Sequence, residues 1–185
     1  MMVKRIYVVR HCQAEGQSPE AKLTKTGKEQ AFELARLFDN LRIDRIISSP
    51  YKRAIQSIDP IVTKRNINIE TNSNLTERIL SNKPLEDWLV KLKQTFENMA
   101  LKLEGGESSQ EAMNRIVRVV EDVFQSTSDT TIIVTHGNLM ALLLKYYDEN
   151  FGFEDWRSLS NPDVYLLKMT SDEVTYEQVW IQTRL

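Results

Sequence analysis

Four apolar residues in a row, Ile6-Tyr7-Val8-Val9, give way abruptly to Arg10-His11-Cys12. An uninterrupted run of β-branched and aromatic side chains fits a short strand covered on both faces. The pattern recurs at Thr131-Ile132-Ile133-Val134-Thr135, which ends at His136-Gly137, and in brief at Ile46-Ile47. Between these runs the spacing changes to three and four. Ala31, Leu34, Ala35, Phe38 and Leu41 form one helical stripe, with Thr26-Gly27-Lys28-Glu29 in capping-box order ahead of it. Ser49-Pro50 offers an N-cap and a first helical residue, which puts Tyr51, Lys52 and Arg53 in the first turn of a second helix that Pro60 should kink or end. Residues 66–71, where Ile67 and Ile69 alternate with polar side chains, predict an edge strand.

Pro84 is expected to open a long helix in which Leu85, Trp88, Leu89, Leu92, Phe96, Met99 and Leu103 form a core stripe, stopped by Gly105-Gly106. Ser108-Ser109-Gln110-Glu111 has capping-box order before Ala112, Ile116, Val119, Val120, Val123 and Phe124, and a further helix spans about 138–147. Residues 163–180 read as two strands about a Ser171-Asp172 turn, and 12–23 as a loop over the end of the first strand. Strands alternating with helices predict an α/β fold, a three-layer α/β/α sandwich whose mainly parallel central sheet carries an antiparallel C-terminal edge. The 185 residues suit one domain, 1–185.

Charge and composition narrow the function classes. With 24 Lys+Arg against 26 Asp+Glu the net charge is -2, which gives no global drive toward nucleic acid or an acidic membrane. The single cysteine rules out an intrachain disulfide framework, the start reads as a strand rather than a signal segment, and no apolar run approaches a membrane span. A cytoplasmic protein is expected, with no nucleic-acid or membrane partner.

The chain holds only two histidines, His11 and His136, and both follow predicted strands. Ligands of open α/β sheets bind beyond the carboxyl ends of the strands. Arg10, His11, Arg53 and His136 are therefore expected at one edge, and the helix after His136 adds amide donors near Gly137 and Asn138. That set suits a tetrahedral anion. A neutral imidazole among arginines can attack phosphorus and form a phosphohistidine, while the guanidinium groups stabilise the phosphoryl charge with no cofactor or metal. A carboxyl group must then protonate the leaving oxygen, and Glu77 is a candidate by position. Gln13 and Arg78 complete the candidate substrate-binding set. Cys12 cannot serve a cysteine-phosphatase cradle, since the position six residues on is Ser18, and it reads better as a small packing residue.

Taken in order, Val9-Arg10-His11, Leu23-Thr24-Lys25-Thr26-Gly27-Lys28-Glu29-Gln30-Ala31, Ser48-Ser49-Pro50 followed by Arg53, Leu75-Thr76-Glu77-Arg78, Gly106-Glu107-Ser108 and Val134-Thr135-His136-Gly137 resemble the successive motifs of the histidine phosphatase superfamily, in its phosphoglycerate mutase-like branch. The resemblance implies that His11 is the phosphorylated nucleophile, that Arg10, Arg53 and His136 bind the phosphoryl group and that Glu77 is the proton donor. The sequence departs from the pattern at Cys12, where glycine is usual, at Gln13-Ala14 in place of Glu-Thr, and at Ile79-Leu80-Ser81-Asn82 after the Glu77 motif. The expected activity is metal-independent phosphomonoester hydrolysis of a small phosphorylated metabolite. A phosphoprotein substrate carrying phosphohistidine, a mutase reaction and non-catalytic binding of a phosphorylated ligand are the competing readings. Mutases of the family resemble longer chains with segments that close over the site, which counts against that alternative.

Overall fold

The computed structural model describes residues 3–171 and 173–180. Among them lie strands β1 (Lys4–Arg10), β2 (Arg45–Ser48), β3 (Ile69–Thr71), β4 (Thr130–Thr135), β5 (Asp163–Met169) and β6 (Val174–Gln178). The helices are α1 (Lys25–Leu37), α2 (Lys52–Arg65), α3 (Trp88–Glu97), α4 (Ser109–Gln125), α5 (Gly137–Tyr147) and α6 (Phe153–Ser158), with a 3₁₀ turn over Ser73–Leu75. The strands form one six-stranded sheet in the order β3-β2-β4-β1-β5-β6. β1, β2, β3 and β4 pair in parallel, whereas β5 joins β1 and β6 joins β5 antiparallel. This is the fold class expected from the sequence, and the C-terminal pair forms the antiparallel edge; the Asp172 side of its turn lies outside the described residues.

Strand alternation makes the three layers. Ile6 and Val8 of β1, with Ile47 and Ile133, face a core completed by α3, α4, α5 and α6. Tyr7 and Val9, with Ile46, Ile132 and Val134, face a second core completed by α1 and α2. Both faces of β1 and β4 are covered, which is why these strands read as continuous apolar runs.

Several boundaries differ from the sequence expectation. α1 is capped by Thr24, whose Oγ1 accepts from the Gly27 amide at 3.0 Å, so the capping position lies two residues ahead of Thr26. α2 starts at Lys52, not Pro50, and Ser49 holds the turn before it. Pro60 neither ends nor stops α2, which continues to Arg65. The buried Ile58 and Ile61 on either side of the proline hold the segment against the sheet and outweigh one lost helical bond.

The largest correction concerns the expected helix from Pro84. Only Trp88–Glu97 is helical, and Leu92 and Phe96 are buried, but Trp88, Leu89 and Val90 are 50%, 38% and 57% exposed. The core stripe is thus half as long as its periodicity implies. The flanking chain is held in loops instead: residues 98–107 fold back on 79–82, where Asn82 N donates to Glu104 O and Glu107 N to Ile79 O. Gly105, at φ +67, and Gly106, whose Cα faces Leu80 O so closely that a methyl group would sit 2.2 Å from it, permit this contact rather than stop a helix.

Candidate active site

β2, β4 and β1 are adjacent and parallel, so their carboxyl ends share one edge. Two backbone bonds continue the ladder past it: His11 N donates to Thr135 O at 3.1 Å and Ser49 N to Val134 O at 2.9 Å. His11 leaves β1, Arg53 lies in the first turn of α2, and His136 is the residue between β4 and α5. The structure brings all three together. The two imidazole centroids are 5.1 Å apart, and Arg53 Nε lies 3.2 Å from His11 Nε2.

The contacts of His11 define its protonation. Nδ1 lies 2.7 Å from Cys12 O, an acceptor only, and therefore carries the hydrogen. Nε2 then keeps its lone pair, which accepts from Arg53 Nε. The ring's partners, not a hydrogen seen directly, assign this tautomer. Burial, aided by the Arg53 and Arg10 charges and opposed by the Cys12 carbonyl, holds the His11 pKa down at about 3. His136 is fully buried and its pKa lies well below the ordinary value, first through burial and then through His11 and the arginines. Its Nε2 is 2.8 Å from Ser49 Oγ, while Nδ1 has no partner among the described residues. At neutral pH both rings are uncharged.

The arginines supply the positive field. Arg53 has no exposed surface: Nη1 donates to Gln17 O and Ser18 O at 3.1 and 2.8 Å, and the guanidinium stands 4.9 Å from the Tyr51 ring centroid. Arg10 Nη1 donates to Leu159 O at 2.8 Å. Arg53 Nη2 and Arg10 Nε are buried with no partner among the described residues, so both donors are unspent. A methyl group on Gly137 would meet the Arg10 guanidinium at 2.9 Å and push it aside, so glycine here leaves Arg10 its place.

Glu77 sits on the start of α5. Its Oε2 accepts from Asn138 N at 3.1 Å, and its Oε1 from Leu139 N at 3.1 Å and Arg78 N at 2.9 Å. The amides that the sequence offered to a bound anion are thus occupied by a side-chain carboxylate, which the helix terminus attracts and orients. What Asn138 offers the site is its side chain, buried with both polar atoms unpartnered among the described residues. Gln13 lines the same cavity, but its Oε1 accepts from Thr24 Oγ1 at 3.0 Å. Arg78 lines it as well, yet its guanidinium braces the wall. Nη1 donates to Thr95 Oγ1 and Ser109 Oγ at 2.8 and 3.0 Å, and Nε and Nη2 to Glu107 O. Burial lowers the Arg78 pKa to about 10, so it stays cationic.

Cys12 belongs to the core under α1 and α2, and burial pushes its thiol up to about 12, which makes it a packing residue. The sequence reading missed Asn161, whose Nδ2 donates to His11 O at 2.7 Å, and the serines that orient the site: Ser49 on His136, and Ser57, whose Oγ accepts from Cys12 N at 2.8 Å. Ser49 stood within a quoted motif but read as a cap; nothing in the sequence marks Asn161 or Ser57. Arg10, His11, Glu77 and Asn138 line a cavity of about 690 Å³, while Arg53 and His136, both fully buried, are not among its lining residues. Among the described residues, no group of three or more His, Cys, Asp or Glu is arranged to hold a metal ion, and no helix is long and apolar enough to cross a membrane.

Fold and site together define an α/β protein with two imidazoles and two guanidinium groups clustered at the carboxyl edge of the parallel strands. The chain matches the model of the histidine phosphatase superfamily (branch 1) over residues 6–182. It belongs to that superfamily, and the enzyme class read from the sequence, a phosphatase of the histidine phosphatase type, is borne out. A relative from Hydrogenobacter thermophilus, "Putative phosphoserine phosphatase 2", is 29% identical over 153 residues, covering 75% of each chain. Among solved structures, mycobacterial glucosyl-3-phosphoglycerate phosphatase with inorganic phosphate is similar with a TM-score of 0.75, at 20% identity and 96% coverage of both chains. Phosphoglycerate mutase from Bacillus anthracis str. Sterne is similar with a TM-score of 0.74, at 17% identity, with 96% of this chain and 92% of that one covered.

Proposed function

We propose that this chain is a metal-independent phosphomonoester hydrolase that works through a phosphohistidine on His11. The observation that carries this reading is the pair of contacts on the His11 ring, Nδ1 to Cys12 O at 2.7 Å and Nε2 to Arg53 Nε at 3.2 Å, which leaves a neutral ring with its lone pair beside a cation. In the first step Glu77 takes up the proton of the substrate's phosphate monoanion, Nε2 exchanges its bond to Arg53 Nε for attack on phosphorus, the bond from phosphorus to the ester oxygen breaks, and that oxygen receives the proton from Glu77. In the second, water attacks the phosphohistidine, Glu77 receives its proton, and the bond between phosphorus and nitrogen breaks. Arg10, Arg53, His136 and the Asn138 side chain hold the phosphoryl oxygens. Arginine contacts to a transferring phosphoryl group are worth about 10³ or more in rate in other enzymes. Hydrolase activity agrees with the printed activities of the phosphoserine and glucosyl-3-phosphoglycerate phosphatases, both acting on small phosphorylated metabolites. The reading is of a cytoplasmic, single-domain enzyme.

The test is phosphate release from a panel of aryl phosphate, 3-phosphoglycerate, sugar phosphates and a phosphohistidine peptide, in a chelator, with wild type and His11→Ala. Chelator-resistant release that falls by about 10³ or more in the variant is expected. Strict dependence on added magnesium, or interconversion of phosphoglycerate isomers with little free phosphate, contradicts the reading.

A further inference from the structure

The lining of the cavity contains two chemically different sets of residues. One is Arg10, His11, Glu77 and Asn138. The other is Ile79, Leu80, Leu85, Trp88, Leu92 and Trp156, with Ser81 and Lys83 in the same stretch of chain, and a phosphoryl group fills only a small part of the 690 Å³ they share. This second set is built from the segment where the sequence departs from the family pattern and from the front of α3, which fails to enter the core. Ile79 is 53% and Trp88 50% exposed, and the Trp88 and Trp156 rings meet edge to face at 6.4 Å. Trp156 is itself backed by Phe153, with ring centroids 5.4 Å apart. Large apolar side chains facing a cavity that also contains a charged site are costly to leave in water and gain by covering an apolar ligand.

Charge decides what the ligand's remainder is. The cations among the described lining residues are Arg10, Arg78 and Lys83. Arg10 belongs to the phosphoryl set, every nitrogen of Arg78 is donated to protein acceptors, and Lys83 Nζ lies 2.6 Å from Glu104 Oε1. A second anionic group, such as the carboxylate of phosphoserine or phosphoglycerate, finds no unpaired cation in the apolar set.

We propose that the apolar set forms a leaving-group subsite and that the preferred substrates are phosphomonoesters of neutral, apolar alcohols, long-chain or aromatic, rather than of amino or sugar acids. The proposal rests on the phosphatase reading for turnover, but its binding component is separable.

The experiment is kcat/KM for primary alkyl phosphates from ethyl to octyl, whose leaving groups differ in length and hardly in acidity. It is paired with calorimetric binding of the matching alkylphosphonates, which cannot be hydrolysed. Both are expected to rise by about threefold for each added methylene over at least three methylenes. Trp88→Ala, at a half-exposed position, is expected to weaken octylphosphonate relative to methylphosphonate by about tenfold. Phosphonate affinity that climbs with length while no ester is cleaved upholds the subsite and overturns the phosphatase reading. Affinity flat with length, or phosphoserine and 3-phosphoglycerate preferred over octyl phosphate with the preference lost in Lys83→Met, overturns the subsite.

Discussion

His11 is neutral because its surroundings make a second ring proton costly: the ring is buried and the Arg53 and Arg10 charges face it, while the Cys12 carbonyl on Nδ1 fixes the tautomer and only partly offsets them. Nuclear magnetic resonance of the two histidine ring protons is expected to show no titration of His11 between pH 8 and 5; a midpoint near 6.5 contradicts this account. The same shift has a sign for stability. Between about pH 6.5 and 3 the unfolded chain binds a proton at His11 that the folded chain does not, so this contribution is complete above 6.5 and declines as pH falls through that window. Glu77 is held at the start of α5, facing the ester oxygen in the proposed mechanism. Glu77→Gln is therefore expected to slow alkyl phosphates by about 10² or more and aryl phosphates far less, since a good leaving group hardly needs the proton. Equal losses on both remove Glu77 from that role. Arg10, His11, Arg53 and His136 were legible because each ends or follows a strand or opens a helix, whereas Glu77, in the loop after the 3₁₀ turn, was marked only by its position and motif. Asn161, Ser49 and Ser57 were not legible as site residues, because their roles depend on loop paths that bring positions up to 150 residues apart together.

At the scale of elements, α4 shows a local rule at work. Ser108 Oγ accepts from Glu111 N at 3.1 Å and Glu111 Oε2 from Ser108 N at 2.8 Å, so the capping box read from the sequence is formed. Ser108→Ala is expected to lower stability by about 1 kcal/mol, a shift of about 2–4 °C in a thermal melt. No shift means that water replaces the cap without loss. The long helix expected from Pro84 shows where periodicity is insufficient. Spacing of three and four identifies an apolar stripe but not what covers it. Here the return of 98–107 onto 79–82 leaves Trp88, Leu89 and Val90 outside the core. α1 shows the same limit: Thr26 heads the capping-box pattern, but Thr24, whose backbone N and Oγ1 are tied to Gln13 and Gly27 through contacts across the 13–24 loop, is the residue that caps the helix. The short α6 carried no periodic signal of its own.

For the whole molecule, the sheet order β3-β2-β4-β1-β5-β6 explains why residues from three separate stretches form one site. β4 lies between β2 and β1, so His136 and Arg53 arrive on one side of His11, and the approach to β5 brings Asn161 to the other. Alternating strands and helices made the parallel sheet legible, and the two-strand tail its antiparallel edge; strand order depends on pairings that no local pattern carries. The central claim is that a phosphoryl group passes through His11 Nε2. The measurement that tests it most directly is rapid quenching of the protein with radiolabelled substrate in alkali, followed by mapping of the label. The account predicts label on His11 that survives alkali, is released by acid and is absent in His11→Ala. Full turnover with no label on His11 at any quench time, or label on another residue, contradicts it.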